Sequence, residues 1–207
     1  FAADAVKLGP WKKVNEKDGA IEWTRTNSRS SVDEYKATCI VKAPVPVVES
    51  ILRDFSAWKK FMFMAKSTEE VIDPNLKAAA DTRYILIQQT FPWPMSNRDG
   101  LLKCDFSVNK ATGEVRIVCR DVDTTLKSTP GVIRMPLTDM LWVLKPVPEG
   151  TELTYQAVAV PGGDVPTAAI NFLLKRIGVS TVLGVRELVD DPKYQSKTIT
   201  TQTPMQP

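Results

Sequence analysis

Apolar and polar residues alternate along most of this chain, and helical spacing interrupts the alternation twice. In residues 32–41, Tyr35, Ala37, Cys39 and Val41 fall on one face and Glu34, Lys36 and Thr38 on the other, the pattern of a half-buried antiparallel strand. Shorter runs at 11–14 and 21–26, joined by the turn signal Lys17-Asp18-Gly19, predict two strands before it. Ala43-Pro44-Val45-Pro46 then stops the sheet and opens a helix, because proline is tolerated in a first helical turn. Val47, Val48, Ile51, Leu52 and Phe55 recur at helical spacing, and a second short helix carries Trp58, Phe61 and Met62. Strands resume at 66–72, 82–90, 98–108 and 114–120, the last two joined by a hairpin loop at 109–113. A further hairpin pairs 131–144 with 151–160. Leu153, Tyr155, Ala157 and Ala159 share one of its faces, where the small residues leave room. Asp164 is the expected cap of a long helix reaching Val189, with Pro166 in its first turn. Ile170, Leu173, Leu174, Ile177, Val182, Val185 and Val189 form its apolar stripe.

Three strands, two short helices, a longer run of strands and one long helix predict an α+β fold. Its antiparallel sheet is long enough to curl around that last helix. One domain is expected over 11–190, with 1–10 as an N-terminal segment and 191–207 as a polar tail rich in Thr, Gln and Pro, with little regular structure.

Composition narrows the chemistry. A chain of 207 residues with 43% apolar and 25% charged residues supports one core, and no apolar run approaches bilayer length. The net charge of +3 is too mild to predict nucleic-acid binding. The sequence contains no histidine, which excludes Ser-His-Asp and Cys-His catalysis and every His-ligated metal site. Cys39, Cys104 and Cys119 have no C-x-x-C spacing, and neither a dinucleotide fingerprint nor a P-loop occurs, so no metal or cofactor is expected. Phe1-Ala2-Ala3-Asp4 has the small residues found around a signal cleavage site. A periplasmic or secreted location is the expectation, with the cytoplasm as the alternative.

Three ordered segments carry a family resemblance: FPWPMSNRD at 91–99, GVIRM at 131–135 and VPGGDVPTAAINFLLKRIGV at 160–179. Together they resemble the START family, the steroidogenic-acute-regulatory-protein-related lipid transfer domains, in a bacterial-type single-domain form. The resemblance covers the chain from Trp11 to Leu188. It implies the helix-grip fold, a curved antiparallel sheet wrapped around the C-terminal helix with a lipid-sized tunnel between them. It also implies a monomeric carrier of one hydrophobic ligand (a sterol, fatty acid or phospholipid) that meets membrane surfaces transiently. The alternative is a helix-grip enzyme of polyketide cyclase or aromatase type. One departure stands out. Cholesterol-type members carry a cavity arginine matched by an acidic residue one strand earlier; here those positions are Cys104 and, nearby, Ile85. An unpaired charge in an apolar tunnel is costly, so the loss of both is self-consistent and implies a greasier tunnel.

The residues predicted to meet the ligand are Tyr84, Arg98, Cys104, Arg134, Trp142, Tyr155, Asn171 and Leu174. For each aromatic, core packing is the competing reading. Arg98 either ties its strand to a neighbouring loop or reaches a headgroup, and the Asn171 amide needs a partner in protein or ligand. Met62 and Met64 are adaptable side chains suited to a variable lipid. Asp33-Glu34, Glu69-Glu70 and Asp190-Asp191 read as solvated faces, and Asp121 with Asp123 as a carboxylate pair without catalytic company. A simple hairpin register places Cys104 opposite Cys119, near disulfide distance; two reduced core cysteines are the expectation, and export favours a bridge. Gly178 and Gly184 are weak points in the last helix that serve either a gate or close packing, with Gly162-Gly163 as a hinge.

Overall fold

The period-two alternation becomes one large sheet. The structure, a computed structural model, describes residues 6–73, 76, 78–122, 126 and 128–195, and in the long last helix the side chains of 170, 171 and 177–188. Ten strands are present among these residues: β1 (Lys12–Lys17), β2 (Ala20–Asn27), β3 (Ser30–Val41), β4 (Ala65–Glu70), β5 (Thr82–Gln89), β6 (Asn97–Val108), β7 (Val115–Asp121), β8 (Val132–Arg134), β9 (Leu137–Val147) and β10 (Gly150–Val160). They are ordered β1-β2-β3-β10-β9-β7-β6-β5-β4, with β8 paired to β6. Between β3 and β4 lie α1 (Val45–Arg53) and a 3₁₀ turn (Phe55–Lys60), the two short helices that apolar spacing predicted. The long helix α2 (Thr167–Leu188) packs on β3, β2, β1 and β10. The sheet therefore grips the C-terminal helix, as the resemblance implied.

Several expectations are corrected. The stretch 131–144 is two strands because Pro136 has no N–H to give the ladder. β8 instead runs parallel to the start of β6, with Asn97 opposite Val132 and Asp99 opposite Arg134. Asp164 does not cap α2; Pro166 is the N-cap residue and no side chain caps it. The tail contains a short helix, α3 (Pro192–Gln195), whose Tyr194 is buried. Tyr194 donates to Asp54 Oδ2 at 2.6 Å, Ser56 donates to Oδ1 at 2.6 Å, and Lys193 pairs with the same carboxylate. Glu34 is not solvated: it is 7% exposed and accepts from Arg25 at 2.6 Å and Gln156 at 2.7 Å on the outer face of the sheet. Cys104 and Cys119 sit opposite each other as the register placed them, and they are bridged, leaving Cys39 as a buried free thiol. Asp123 and the side chains of Leu173 and Leu174 lie outside the described residues.

β2 reverses the usual sense of burial. Ala20, Glu22 and Thr24 face the interior, while Trp23 lies on the other face beneath the Lys36 ammonium, 4.7 Å from its ring centroid. Cation–π contact to an outward tryptophan leaves the inner face of this strand to a carboxylate.

Candidate functional site

A cavity of about 260 Å³ lies between the inner face of the sheet and the first half of α2. β10 contributes Tyr155, Ala157 and Ala159, so the small-residue face read from the sequence does leave room there. β3 adds Tyr35, β5 adds Ile87 and Gln89, and α2 adds Ile170, Ile177 and Thr181. Phe91, Pro92 and Met95 close one side together with Pro166, and Pro92 and Pro166 are themselves exposed, so the cavity reaches the surface at this loop. Trp93, next to them, is 92% exposed. Five of the chain's six methionines (Met62, Met64, Met95, Met135 and Met140) line the wall. Flexible, polarizable thioethers adapt to irregular apolar shapes.

No charged side chain lines the cavity among the described residues. Most polar atoms in the wall are already spent: Gln89 donates to the Phe63 carbonyl at 2.8 Å and Thr181 to the Ile177 carbonyl at 2.8 Å. Tyr35 and Tyr155 are different. Their hydroxyls share one hydrogen bond of 3.2 Å, with rings edge to face at 5.7 Å. Two hydroxyls with one bond between them leave one O–H donor over. Burial pushes the Tyr155 phenol up to about 12, and burial together with Tyr155 pushes Tyr35 well above its ordinary value. At neutral pH both are phenols that donate; neither is a base. Behind them Trp142 stacks on Tyr155 with ring centroids 4.1 Å apart, and its indole N–H has no partner among the described residues.

Of the eight residues predicted to meet a ligand, Tyr155 alone lies in the described wall. Trp142 is fully buried behind it, in a cluster with Trp58 and Phe61. Tyr84 sits on the other face of β5 from Ile85 and Ile87, since successive strand residues point to opposite faces. Arg98 is 2% exposed, and its guanidinium donates to the carbonyls of Ser96, Pro161 (3.3 Å) and Gly162 (3.0 Å), tying β6 to the loop before α2. Arg134 holds buried Asp99 at 2.6 and 3.3 Å, with Ser128 as a further donor to that carboxylate. Cys104 is consumed by its disulfide. Asn171 accepts from the Asp33 main-chain N–H at 3.1 Å, so its partner is protein. The Leu174 side chain lies outside the described residues. Tyr35 and three of the wall methionines (Met95, Met135 and Met140) escaped the sequence reading. The available signal was that methionine, scarce elsewhere in the chain, clusters at 62–64 and again around 95, 135 and 140.

No family model matches the chain. An uncharacterized protein of Pseudomonas aeruginosa is 24% identical over 181 residues, which are 87% of this chain and 87% of that protein. The STAR-related lipid transfer protein of Xanthomonas axonopodis, in its crystal structure, is 26% identical with a TM-score of 0.76, covering 86% of this chain and 98% of that one. Human StAR-related lipid transfer protein 5 shares the fold at a TM-score of 0.76 with 15% identity, covering 86% of each chain. In its helix-grip fold and in the three ordered segments that carry the resemblance, the chain is similar to START domains, represented among its solved neighbours by bacterial and human STAR-related lipid transfer proteins.

Proposed function

We propose that this protein binds one neutral, weakly polar lipid in the cavity and carries it between membranes. The observation that supports this most is the methionine-rich wall, free of charged side chains among the described residues, with an unspent hydroxyl donor at the Tyr35–Tyr155 pair. A buried ionic headgroup would find no counter-charge there and would be expelled. A hydroxyl or carbonyl would find a donor. A sterol, a fatty alcohol or an uncharged glyceride fits this chemistry better than a phospholipid headgroup. Fully exposed Trp93, on the loop whose neighbours line the cavity, is suited to transient insertion into the membrane interface, where tryptophan partitions. The enzymatic alternative has less support, because the two tyrosines are held as phenols and supply donors without a base.

The Cys104–Cys119 bridge supports an oxidising compartment, periplasmic or extracellular. The working unit in this reading is a monomer. Fractionation of the native host and light scattering of the purified protein check these two points.

Lipid extraction and mass spectrometry of the purified protein, followed by titration with sterols, fatty acids and phospholipids, test the central reading. A co-purifying neutral lipid at one per chain is expected. Tight binding confined to charged, water-soluble ligands, or turnover of an aromatic polyketide model, would overturn it.

A further inference from the structure

Cross-strand register fixes what surrounds the inner end of the cavity. Ala157 on β10 lies opposite Tyr35 on β3 and opposite Met140 on β9, so these three wall residues form one row across the inner face of the sheet. The next row inward is Ala37, Tyr155 and Trp142, and there the cavity stops. α2 lies against that row: a Cβ at Gly178 would stand 3.0 Å from Ala37 Cβ, and the Gly178 N–H donates to buried Glu22 at 2.9 Å. Tyr155 lies nearly flat on Trp142, 25° from parallel. Trp142 in turn meets Trp58 and Phe61 edge to face at 5.9 and 6.1 Å, and the Trp58 indole donates to the Leu52 carbonyl at 3.0 Å. Interlocked rings buried in the core resist displacement.

The other end is built differently. Met64 and Met95 stand half-buried in the wall, with exposed Pro92 beside Met95 at the mouth. Unbranched thioethers change rotamer at little cost and refill irregular space. Bulk is therefore treated differently at the two ends. The space beside the Tyr35–Tyr155 hydroxyls exists because residue 157 is alanine, since any longer side chain in that row would project between Tyr35 and Met140. Atoms that a ligand carries on its hydrogen-bonding oxygen must fit there, against fixed rings.

We infer that Ala157 is a specificity-determining residue: it leaves room at the blind end for one unhindered hydroxyl or carbonyl oxygen, while the methionine wall accepts tails of varied shape. This rests on the proposed binding of a neutral lipid and narrows it. The class becomes lipids tipped by a free hydroxyl or carbonyl, as against lipids whose tip is capped or branched.

Competition for the purified protein, read by native mass spectrometry, tests this. Hexadecanol and its methyl ether share a tail and an acceptor oxygen, and the ether adds one methyl at the tip. Offered in equal amounts, the alcohol should load at least about tenfold over the ether, the scale of overpacking against a rigid wall. Ala157→Gly makes room for that methyl and should cut the preference at least about fivefold. A penalty owed to the ether's missing O–H would persist in the variant. Because the preference is a ratio within one sample, lost stability leaves it readable. Ala157→Val supplies a second check: it fills existing space, so the fold should hold while loading of the alcohol falls at least about tenfold. Straight, cis-unsaturated and methyl-branched alcohols should load within about threefold of one another. An ether that loads as well as the alcohol would overturn the inference. So would an ether penalty unchanged in Ala157→Gly, unchanged alcohol loading in Ala157→Val, or a tail spread larger than the ether penalty. Failure of all these lipids to load would overturn the binding proposal itself, and this inference with it.

Discussion

Tyr35 and Tyr155 give the cavity its only unspent hydroxyl donor among the described residues, and each phenol is too deeply buried to ionise near neutrality. A neutral hydrogen bond of this kind contributes about 1 kcal/mol, so Tyr155→Phe should weaken a hydroxyl- or carbonyl-tipped lipid by about fivefold. A saturated hydrocarbon probe should bind the variant as before, and displacement titrations with both ligands check the difference. The glycines of α2 behave as packing residues. Gly178→Ala drives a methyl into Glu22, and Gly184→Ala drives one into Phe61. Each should lower stability by about 1–3 kcal/mol in urea unfolding, the usual cost of overpacking. Gly178 and Gly184 could be read from the sequence as special positions, but not their partners: Glu22 lies 156 positions from Gly178, inside a strand where a charge suggests solvent.

At the scale of elements, the α3 segment is held by one carboxylate. Burial alone would raise Asp54, yet hydrogen bonds from Lys193, Ser56 and Tyr194 outweigh it and hold the carboxyl at about 2. Its folded value lies below its ordinary 3.8, so the stabilisation is present above that value and is lost as pH falls through about 2. α3 should therefore undock between about pH 4 and pH 2, before the sheet melts, and Asp54→Asn should leave it undocked at neutral pH. Exchange of the Lys193 and Tyr194 amides across an acid series measures this. The polar composition of 191–207 hid this helix, because its stability comes from a partner on a distant turn and not from its own propensity. The division of 131–144 was legible in principle. Pro136 stands in the middle of the run, and a proline there argues against one continuous strand.

For the whole molecule, the bridge between β6 and β7 closes a sequence separation of 15 residues, and removing it by Cys104→Ser with Cys119→Ser should cost about 3 kcal/mol. Thiol titration in denaturant should find one free thiol, Cys39, and three after reduction. Trp93→Ala should reduce association with lipid vesicles while leaving affinity for a soluble lipid analogue unchanged, since the side chain points to solvent and not into the cavity. The cavity of about 260 Å³ sits just below the roughly 300 Å³ from which ligand sites usually start. A full-length lipid in the proposed role would therefore need the flexible methionine wall to repack around it.

Periodicity, proline and turn residues act over a few positions, and what depends on them was readable directly: the order of strands and helices, the register that brings Cys104 to Cys119, and the small-residue face at Ala157 and Ala159. The three ordered segments carried the fold family for the same reason, since each is a local motif. Which face of β2 turns inward was not readable, because alternation defines two faces without saying what covers either. Trp23 could leave the core only because Lys36 stacks over it, and Glu22 could enter only because α2 offers two N–H groups. Arg98 and Arg134 resembled ligand anchors until their partners were placed. The Pro161 carbonyl lies 63 positions from Arg98, and Asp99 lies 35 from Arg134. The gathering of five methionines around one cavity likewise belongs to the tertiary structure, because they come from segments that only the curvature of the sheet brings together.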